Sequence, residues 1–159
     1  MPMPNWLYLL CSTLFHLGLA IWIGGTIALG ALTAPALFVT LPRPQAGAIF
    51  GRILRRFARV RIAALIAIII GAAAKYVTWE THAASPWIVV RWIMIAFLAV
   101  SLIVEILVFE PRLEALRTLL TPEMKSDDPQ RAAFNVLHRR AENLLRLALL
   151  AAVVALFFS

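Results

Sequence analysis

The hydrophobic and polar positions of this chain divide it into long apolar runs separated by short basic stretches. The first run, residues 6–41, contains no Asp, Glu, Lys or Arg. About 20 apolar residues are enough for a helix to cross the hydrocarbon core of a bilayer, so this run can cross and continue beyond it. The pattern predicts four crossings, at about 6–31, 62–79, 87–109 and 139–158.

The segment 45–61, between the first two crossings, has a different pattern. Its arginines recur at helical spacing and apolar residues occupy the opposite face, which predicts an amphipathic helix lying in the membrane interface. A nucleic-acid partner is not expected, because the opposite face is as apolar as a protein core. We expect the arginines of this helix to bind anionic lipid headgroups: Arg52, Arg55, Arg56 and Arg59.

Composition agrees with a membrane protein. The 159 residues are 62% hydrophobic and 14% charged, whereas roughly a quarter of the residues of a soluble domain are charged. We therefore predict a single membrane domain over residues 1–159 of the all-α class. It is a polytopic four-helix bundle with an amphipathic interfacial helix between crossings one and two.

The distribution of basic residues predicts the orientation. Six Arg lie between crossings one and two, and six Lys or Arg lie between crossings three and four when Arg139 and Arg140 at the start of crossing four are counted, while the N-terminal tail contains none. The positive-inside bias then puts both basic linkers in the cytoplasm and both termini outside. We expect a multi-pass protein of the cell (inner) membrane, whose net charge of +7 reflects topology and contact with anionic lipids.

Polar residues recur at similar depth in several of the predicted crossings. At about 1.5 Å per residue, His16 lies roughly 15 Å inside the outer edge and Arg146 about 18 Å inside it. Charged groups at such depth are costly unless they pair or line a wet cavity. We therefore predict an inward-opening cleft for a cation, a proton or a small polar solute, lined by His16, Glu105, His138, Glu142, Asn143 and Arg146.

Alternatives stay open for these residues. Glu142 and Arg146 are four positions apart and could neutralise each other and hold helix packing. His16 could be structural, could handle protons, or could be an axial ligand to haem or a metal. It is the candidate cofactor-binding residue, and His16, His138 and Glu142 are the candidate metal ligands. Lys75, near the end of the second crossing, is expected to be an interfacial anchor.

No pattern in the chain indicates a hydrolase triad, a phosphate loop or a dinucleotide-binding fingerprint, so enzyme activity has no positive support. A binding or transport module is the first hypothesis. The other two are a haem- or copper-binding redox protein and a lipid-organising or assembly protein. Four helices in 159 residues enclose no wide pore, so transport would require a homo-oligomer.

Several short segments carry a family resemblance: His16 with Trp22–Gly24, Pro35–Phe38, Leu41–Arg43, Glu110–Arg112, and Phe134–His138 with Asn143-Leu144. On these the chain resembles the small four-helix membrane proteins of the transmembrane protein two-zero-five type, a family of unassigned function. Its members have been linked to drug or metal resistance and trafficking. Arg56–Val60 departs from the Phe-Pro-x-Tyr-like residues expected there, which leaves the role of that linker undetermined.

A second, shorter resemblance covers His16 to Gly25. This stretch is similar to the His-x-x-x-x-x-Trp-hydrophobic-Gly-Gly segment of bacterial copper-resistance and haem-associated four-helix membrane proteins. The similarity implies haem or a divalent metal as a cofactor.

Overall fold

The computed structural model describes residues 5–81, 85–120 and 128–159, and these form four long helices without a strand. The helices are α1 (Asn5–Thr40), α2 (Arg43–Glu80), α3 (Pro86–Leu119) and α4 (Pro129–Phe157). The all-α class with four helices is confirmed.

Prolines set the ends of these helices. Leu41 is extended, with φ −125° and ψ 151°, because a residue before proline is disfavoured in the α conformation. Pro86 and Pro129 each stand at the first position of a helix, where the missing N–H is not needed. The Asp128 side chain caps α4 by accepting a hydrogen bond from the Gln130 backbone N–H at 2.8 Å.

Three of the helices contain a wider π-helical turn, at Ala28–Thr33, Tyr76–Glu80 and Glu105–Phe109. The first and third directly precede Pro35 and Pro111. A proline removes a backbone donor and clashes with the carbonyl four residues earlier, and a wider turn accommodates both effects. Glu80 and Glu105 both lie in such turns, and both belong to the buried charge layers described below.

The helices pack as neighbouring antiparallel pairs in the cyclic order α1, α2, α3, α4. The α1–α2 pair is the closest, because glycines let the two backbones approach. A Cβ on Gly18 would lie 2.7 Å from the Ala64 carbonyl oxygen, and one on Gly71 would lie 2.7 Å from that of Cys11. The core between the helices is built from aromatic, aliphatic and alanine side chains, among them Phe15, Leu19, Trp22, Ile68, Ile95, Leu98, Leu102, Ala148 and Ala152.

Helices α1, α2 and α3 are long and apolar enough to cross a membrane. Helix α4 is not in this group, since its last 18 residues contain three charged side chains, Arg140, Glu142 and Arg146. The described part of the chain therefore has the character of a membrane protein. The fourth crossing at 139–158 stays a prediction.

The interfacial helix expected at 45–61 is not confirmed. Arg43–Lys75 is one unbroken α-helix, so this segment continues directly into the second crossing. Within it Ala46 and Ala58 are buried, and Arg55 pairs with Glu114 of α3 at 3.2 Å. The arginines Arg52, Arg56 and Arg59 of this segment are exposed, and its position in the membrane interface stays a prediction. The 38 residues of α2 measure about 57 Å, nearly twice the thickness of a hydrocarbon core.

Candidate functional site

The polar residues predicted in the last crossing lie on the outside of the bundle. His138, Glu142, Asn143 and Arg146 are all exposed, and Arg146 is the most exposed of the ion-paired side chains at 76%. Glu142 contacts His138 at 3.2 Å and Arg146 at 3.9 Å. This face is opposite the Ala148–Ala152 side of α4 that packs into the core, so these groups point away from the other helices.

His16 is half-buried on α1 and contacts the chain just after the end of α4. Its Nδ1 lies 2.6 Å from the Ser12 carbonyl oxygen, to which it donates, and its Nε2 lies 2.9 Å from the Ser159 hydroxyl oxygen. The Ser159 hydroxyl also donates to the Leu156 carbonyl at 2.7 Å. Both ring nitrogens are therefore engaged within the protein.

Glu105 faces α2 instead of α4. It forms a two-pronged ion pair with Arg61, in which Nη1 donates to Oε2 at 2.8 Å and Nη2 donates to Oε1. A guanidinium matches a carboxylate in this geometry better than any other side chain does.

The shared cleft expected from depth alone is therefore not formed: His16, Glu105 and the α4 residues separate in three directions. Depth along a helix says nothing about the direction in which a side chain points. In the residues that the structure describes, no three His, Cys, Asp or Glu side chains are grouped to hold a metal ion. The ligand-binding, cofactor and metal roles of these residues stay predictions.

The structure instead places charge inside the bundle in two layers. The first, which we call the matched layer, is the Arg61–Glu105 pair. Arg61 is 1% exposed and its guanidinium lies between two aromatic rings, 5.5 Å from the centre of Trp22 and 5.4 Å from that of Phe57. Its Nε and the Trp22 Nε1 are buried and have no hydrogen-bond partner among the described residues. Arg61 forms its ion pair with one carboxylate, and a second carboxylate, Glu110, lies within electrostatic reach of both Arg61 and Glu105.

The second, which we call the cationic layer, consists of Lys75, Arg91 and Glu80. Lys75 is 4% exposed and Arg91 is 3% exposed. Arg91 forms a two-pronged ion pair with Glu80, with Nη1 to Oε1 at 3.1 Å. The Lys75 ammonium lies 5.6 Å from the ring centre of Tyr8 and 5.5 Å from that of Phe15, and the Arg91 guanidinium lies 5.9 Å from the same Phe15 ring. Two buried cations thus share one aromatic ring.

The cationic layer carries one positive charge more than its carboxylate neutralises. Among the described residues, no carboxylate lies within 4.0 Å of the Lys75 ammonium. The neighbouring segments outside the described residues, 1–4 and 82–84, contain no Asp or Glu. Cation–π contact with Tyr8 and Phe15 offsets part of the cost of burying the ammonium, about 2 kcal/mol for a desolvated pair.

The sequence analysis did not predict that three cations of these layers are buried: Lys75, Arg61 and Arg91. Lys75 had been assigned to headgroups, and Arg61 had been counted with the basic linker. A usable signal exists, since Arg61 and Lys75 on α2 are 14 residues apart, as are Arg91 and Glu105 on α3. Fourteen residues are close to four helical turns, so each pair shares a face and is separated by about 21 Å.

The surface shows two ends of different chemistry. The end that we call the aromatic end carries Trp6, Tyr8, Tyr76, Trp79, Trp87 and Trp92. The opposite end, the arginine end, carries Arg52, Arg56, Arg59, Arg112, Arg139 and Arg140, all exposed. Tyr76 to Arg56 on α2 and Trp92 to Arg112 on α3 are each 20 residues, or about 30 Å, which is the thickness of a hydrocarbon core. The cationic layer lies close to the aromatic end.

Comparison with known proteins finds one family. Its model matches residues 17–120 and is described as a domain of unknown function, DUF4149. No curated protein and no solved structure matches the chain. The likenesses to the transmembrane protein two-zero-five type and to copper-resistance proteins are not confirmed by these matches.

Proposed function

The chain belongs to the family of the domain of unknown function DUF4149, and on that premise we propose that it is an integral membrane protein that binds a small anionic group at its cationic layer. The ligand class is a carboxylate or a phosphate. The anion would reach Arg91 and Lys75 together, as a second counter-charge beside Glu80.

The observation that carries this proposal is the sharing of Phe15 by two buried cations, of which one lacks a carboxylate among the described residues. The effective cost of burying an unpaired ion is several kcal/mol. A structural role alone is served better by an uncharged side chain, as replacements of buried charges by apolar residues show. An ammonium kept in this place is therefore better explained by a partner that arrives from solution or from the membrane.

Access is available from the aromatic end. The Glu80 side chain is 18% exposed, whereas its partner Arg91 is 3% exposed, so solvent reaches this layer at Glu80. Glu105 of the matched layer is exposed to a similar extent, 20%, so the two layers differ in the second cation and not in exposure of the carboxylate. Guanidinium groups bind carboxylate and phosphate oxygens in pairs, and a lysine adds a point charge. The excess positive charge disfavours the cation or proton that the sequence indicated, so the proposed ligand class is anionic.

The positive-inside bias supports an orientation with the arginine end in the cytoplasm. The cationic layer would then open to the outer face, both termini would be outside, and α4 would complete the fourth crossing. In this arrangement we propose that Arg52, Arg56 and Arg59 contact anionic headgroups, while Arg55 is held by Glu114. Each such contact contributes about 1 kcal/mol near an anionic surface.

The proposal is tested by thermal unfolding of the purified chain in detergent, titrated separately with sodium acetate and inorganic phosphate. We expect either anion to raise the unfolding midpoint of the parent protein in a saturable manner, because ligands that bind only the folded state stabilise it by mass action. Lys75→Met should lose this rise.

A matched control removes an exposed cation at the other end. Arg43→Met changes the net charge by the same amount, at a residue that lies outside both layers and is exposed. It should show the same anion-dependent rise as the parent. An equal rise in Lys75→Met and Arg43→Met would show that the anions act non-specifically, and the proposal would then be abandoned.

A further inference from the structure

We propose that the exposed polar face of α4 is an interface with a second copy of this chain, formed within the membrane. The face contains Glu142, Asn143 and Arg146 and continues toward the C-terminus as an exposed apolar row. That row is Leu150, Val153 and Phe157. The inference does not depend on the anion site, which lies at the aromatic end between α1, α2 and α3.

Contacts at both ends of α4 place this face in depth. At the aromatic end the Phe158 ring stacks on Trp87 with 4.9 Å between centres. At the other end Arg140 and Arg112 line the same groove between α4 and α3, and Arg112 belongs to the arginine end. Counting from Arg140 at 1.5 Å per residue, Glu142 lies about 3 Å and Arg146 about 9 Å inside the hydrocarbon interval.

Polar groups at this depth do not face lipid without cost. Arg146 is 76% exposed and Glu142 is 47% exposed, and the 3.9 Å between them is a loose contact compared with the two-pronged pairs inside the bundle. Charged residues within membrane segments almost always face protein or a water-filled cavity. The four-helix unit covers only the opposite side of α4, so the polar side needs protein from outside the unit.

The charge pattern identifies a second copy as the occupant, because the face is complementary to itself. In a twofold dimer about an axis along the membrane normal, each residue meets its own counterpart or exchanges partners reciprocally. Asn143 can then pair with Asn143 of the second copy through side-chain amides. Glu142 of each copy can accept hydrogen bonds from Arg146 of the other, which gives two equivalent ion pairs. Interhelical hydrogen bonds of this kind stabilise helix association in membranes.

Disulfide cross-linking in native membranes tests the contact. The starting protein is Cys11→Ser, which removes the single native cysteine. In this background we expect Asn143→Cys to form a covalent dimer with mild oxidant. Leu107→Cys is the matched control, since Leu107 is 68% exposed on α3, five residues before Arg112 and therefore at comparable depth. It should stay a monomer.

A charge exchange tests the pairing. Glu142→Arg should lower the dimer affinity about threefold to thirtyfold by placing like charges together, the range expected for an interhelical polar contact. The double variant Glu142→Arg with Arg146→Glu should restore the affinity, measured by energy transfer between labelled chains in liposomes. Because these side chains are exposed in the isolated chain, neither change should alter its helix content.

Four results would overturn the inference. The first is equal cross-linking at positions 107 and 143. The second is absence of cross-linking at position 143 although a maleimide labels the thiol. The third is an Asn143→Cys adduct with a protein of different mass, which would assign the face to another partner. A Glu142→Arg variant that dimerises as the parent does would have the same effect.

Discussion

Each of the two buried charge layers contains an Arg–Glu ion pair, but only the cationic layer contains a further cation. In the matched layer one guanidinium meets one carboxylate between two aromatic rings, and the pair closes on itself. In the cationic layer an equivalent Arg–Glu pair is joined by a lysine that rests on Tyr8 and Phe15. The layers are about 21 Å apart, at the two ends of the apolar core.

The difference separates a structural role from a binding role. A pair whose charges balance gains less from an added ion than a layer with excess charge does, and it loses much when one member is removed, although Arg61 Nε and Trp22 Nε1 have no hydrogen-bond partner among the described residues. A layer with excess charge behaves in the opposite way, since a ligand completes it. The glycine-mediated contact of α1 with α2 holds both layers in register, because Trp22, Phe15 and Tyr8 of α1 face Arg61 and Lys75 of α2.

The largest effect is expected when the matched layer is broken. Glu105→Ala removes the carboxylate that pairs with the buried Arg61 and leaves only the more distant Glu110 near it, which should cost about 3–5 kcal/mol in the free energy of unfolding. Replacing both members, as Arg61→Met with Glu105→Leu, should recover most of this loss, because no charge then remains in the core. Thermal or denaturant unfolding in detergent measures both variants. A double variant as unstable as the single one would mean that the pair itself, and not the unpaired charge, stabilises the fold.

A comparable effect is expected at Glu80, whose side chain is 18% exposed against 20% for Glu105. Glu80→Ala leaves Arg91 buried with no paired carboxylate, beside the buried Lys75, and should also cost about 3–5 kcal/mol. Added acetate should recover the stability of this variant by occupying the place of the lost carboxylate.

The same acetate titration of Glu105→Ala is the control. Less recovery is expected there, because only one cation, Arg61, is left between Trp22 and Phe57, whereas Glu80→Ala leaves Arg91 and Lys75 together. Equal recovery of both variants, or recovery of neither, would remove the distinction between a layer with excess charge and a balanced one.

The smallest effect is expected at His16. His16→Ala removes the hydrogen bonds to the Ser12 carbonyl and the Ser159 hydroxyl, and should cost about 1 kcal/mol because the site is partly open to solvent. It should leave the anion-dependent rise in unfolding midpoint unchanged. If His16→Ala abolished the anion-dependent rise in unfolding midpoint, the imidazole would belong to the anion-binding site of the cationic layer.

The sequence alone determined the class of this protein. Three local properties predicted four helices and a membrane setting correctly. They are the uncharged runs long enough to cross a bilayer, the prolines between these runs and the arginines at one end. Pro42 and Pro86 lie at helix boundaries, as the restriction that a proline ring puts on the backbone predicts, whereas Pro35 and Pro111 lie inside helices next to π-helical turns.

Only the tertiary structure decided which charged groups meet. Glu105 was grouped with His138 and Glu142 on depth, but it faces Arg61, because the rotation of α3 about its axis is fixed by packing of Leu98 and Leu102 in the core. Lys75 lies next to Tyr76 at the aromatic end, but the close approach of α1 at Gly71 brings Phe15 and Tyr8 over its ammonium and buries it, which the sequence did not predict. Hydropathy reports how a residue partitions between water and lipid. Which charged side chains pair depends on how whole helices are rotated and packed against each other, and the sequence of a single helix does not specify this.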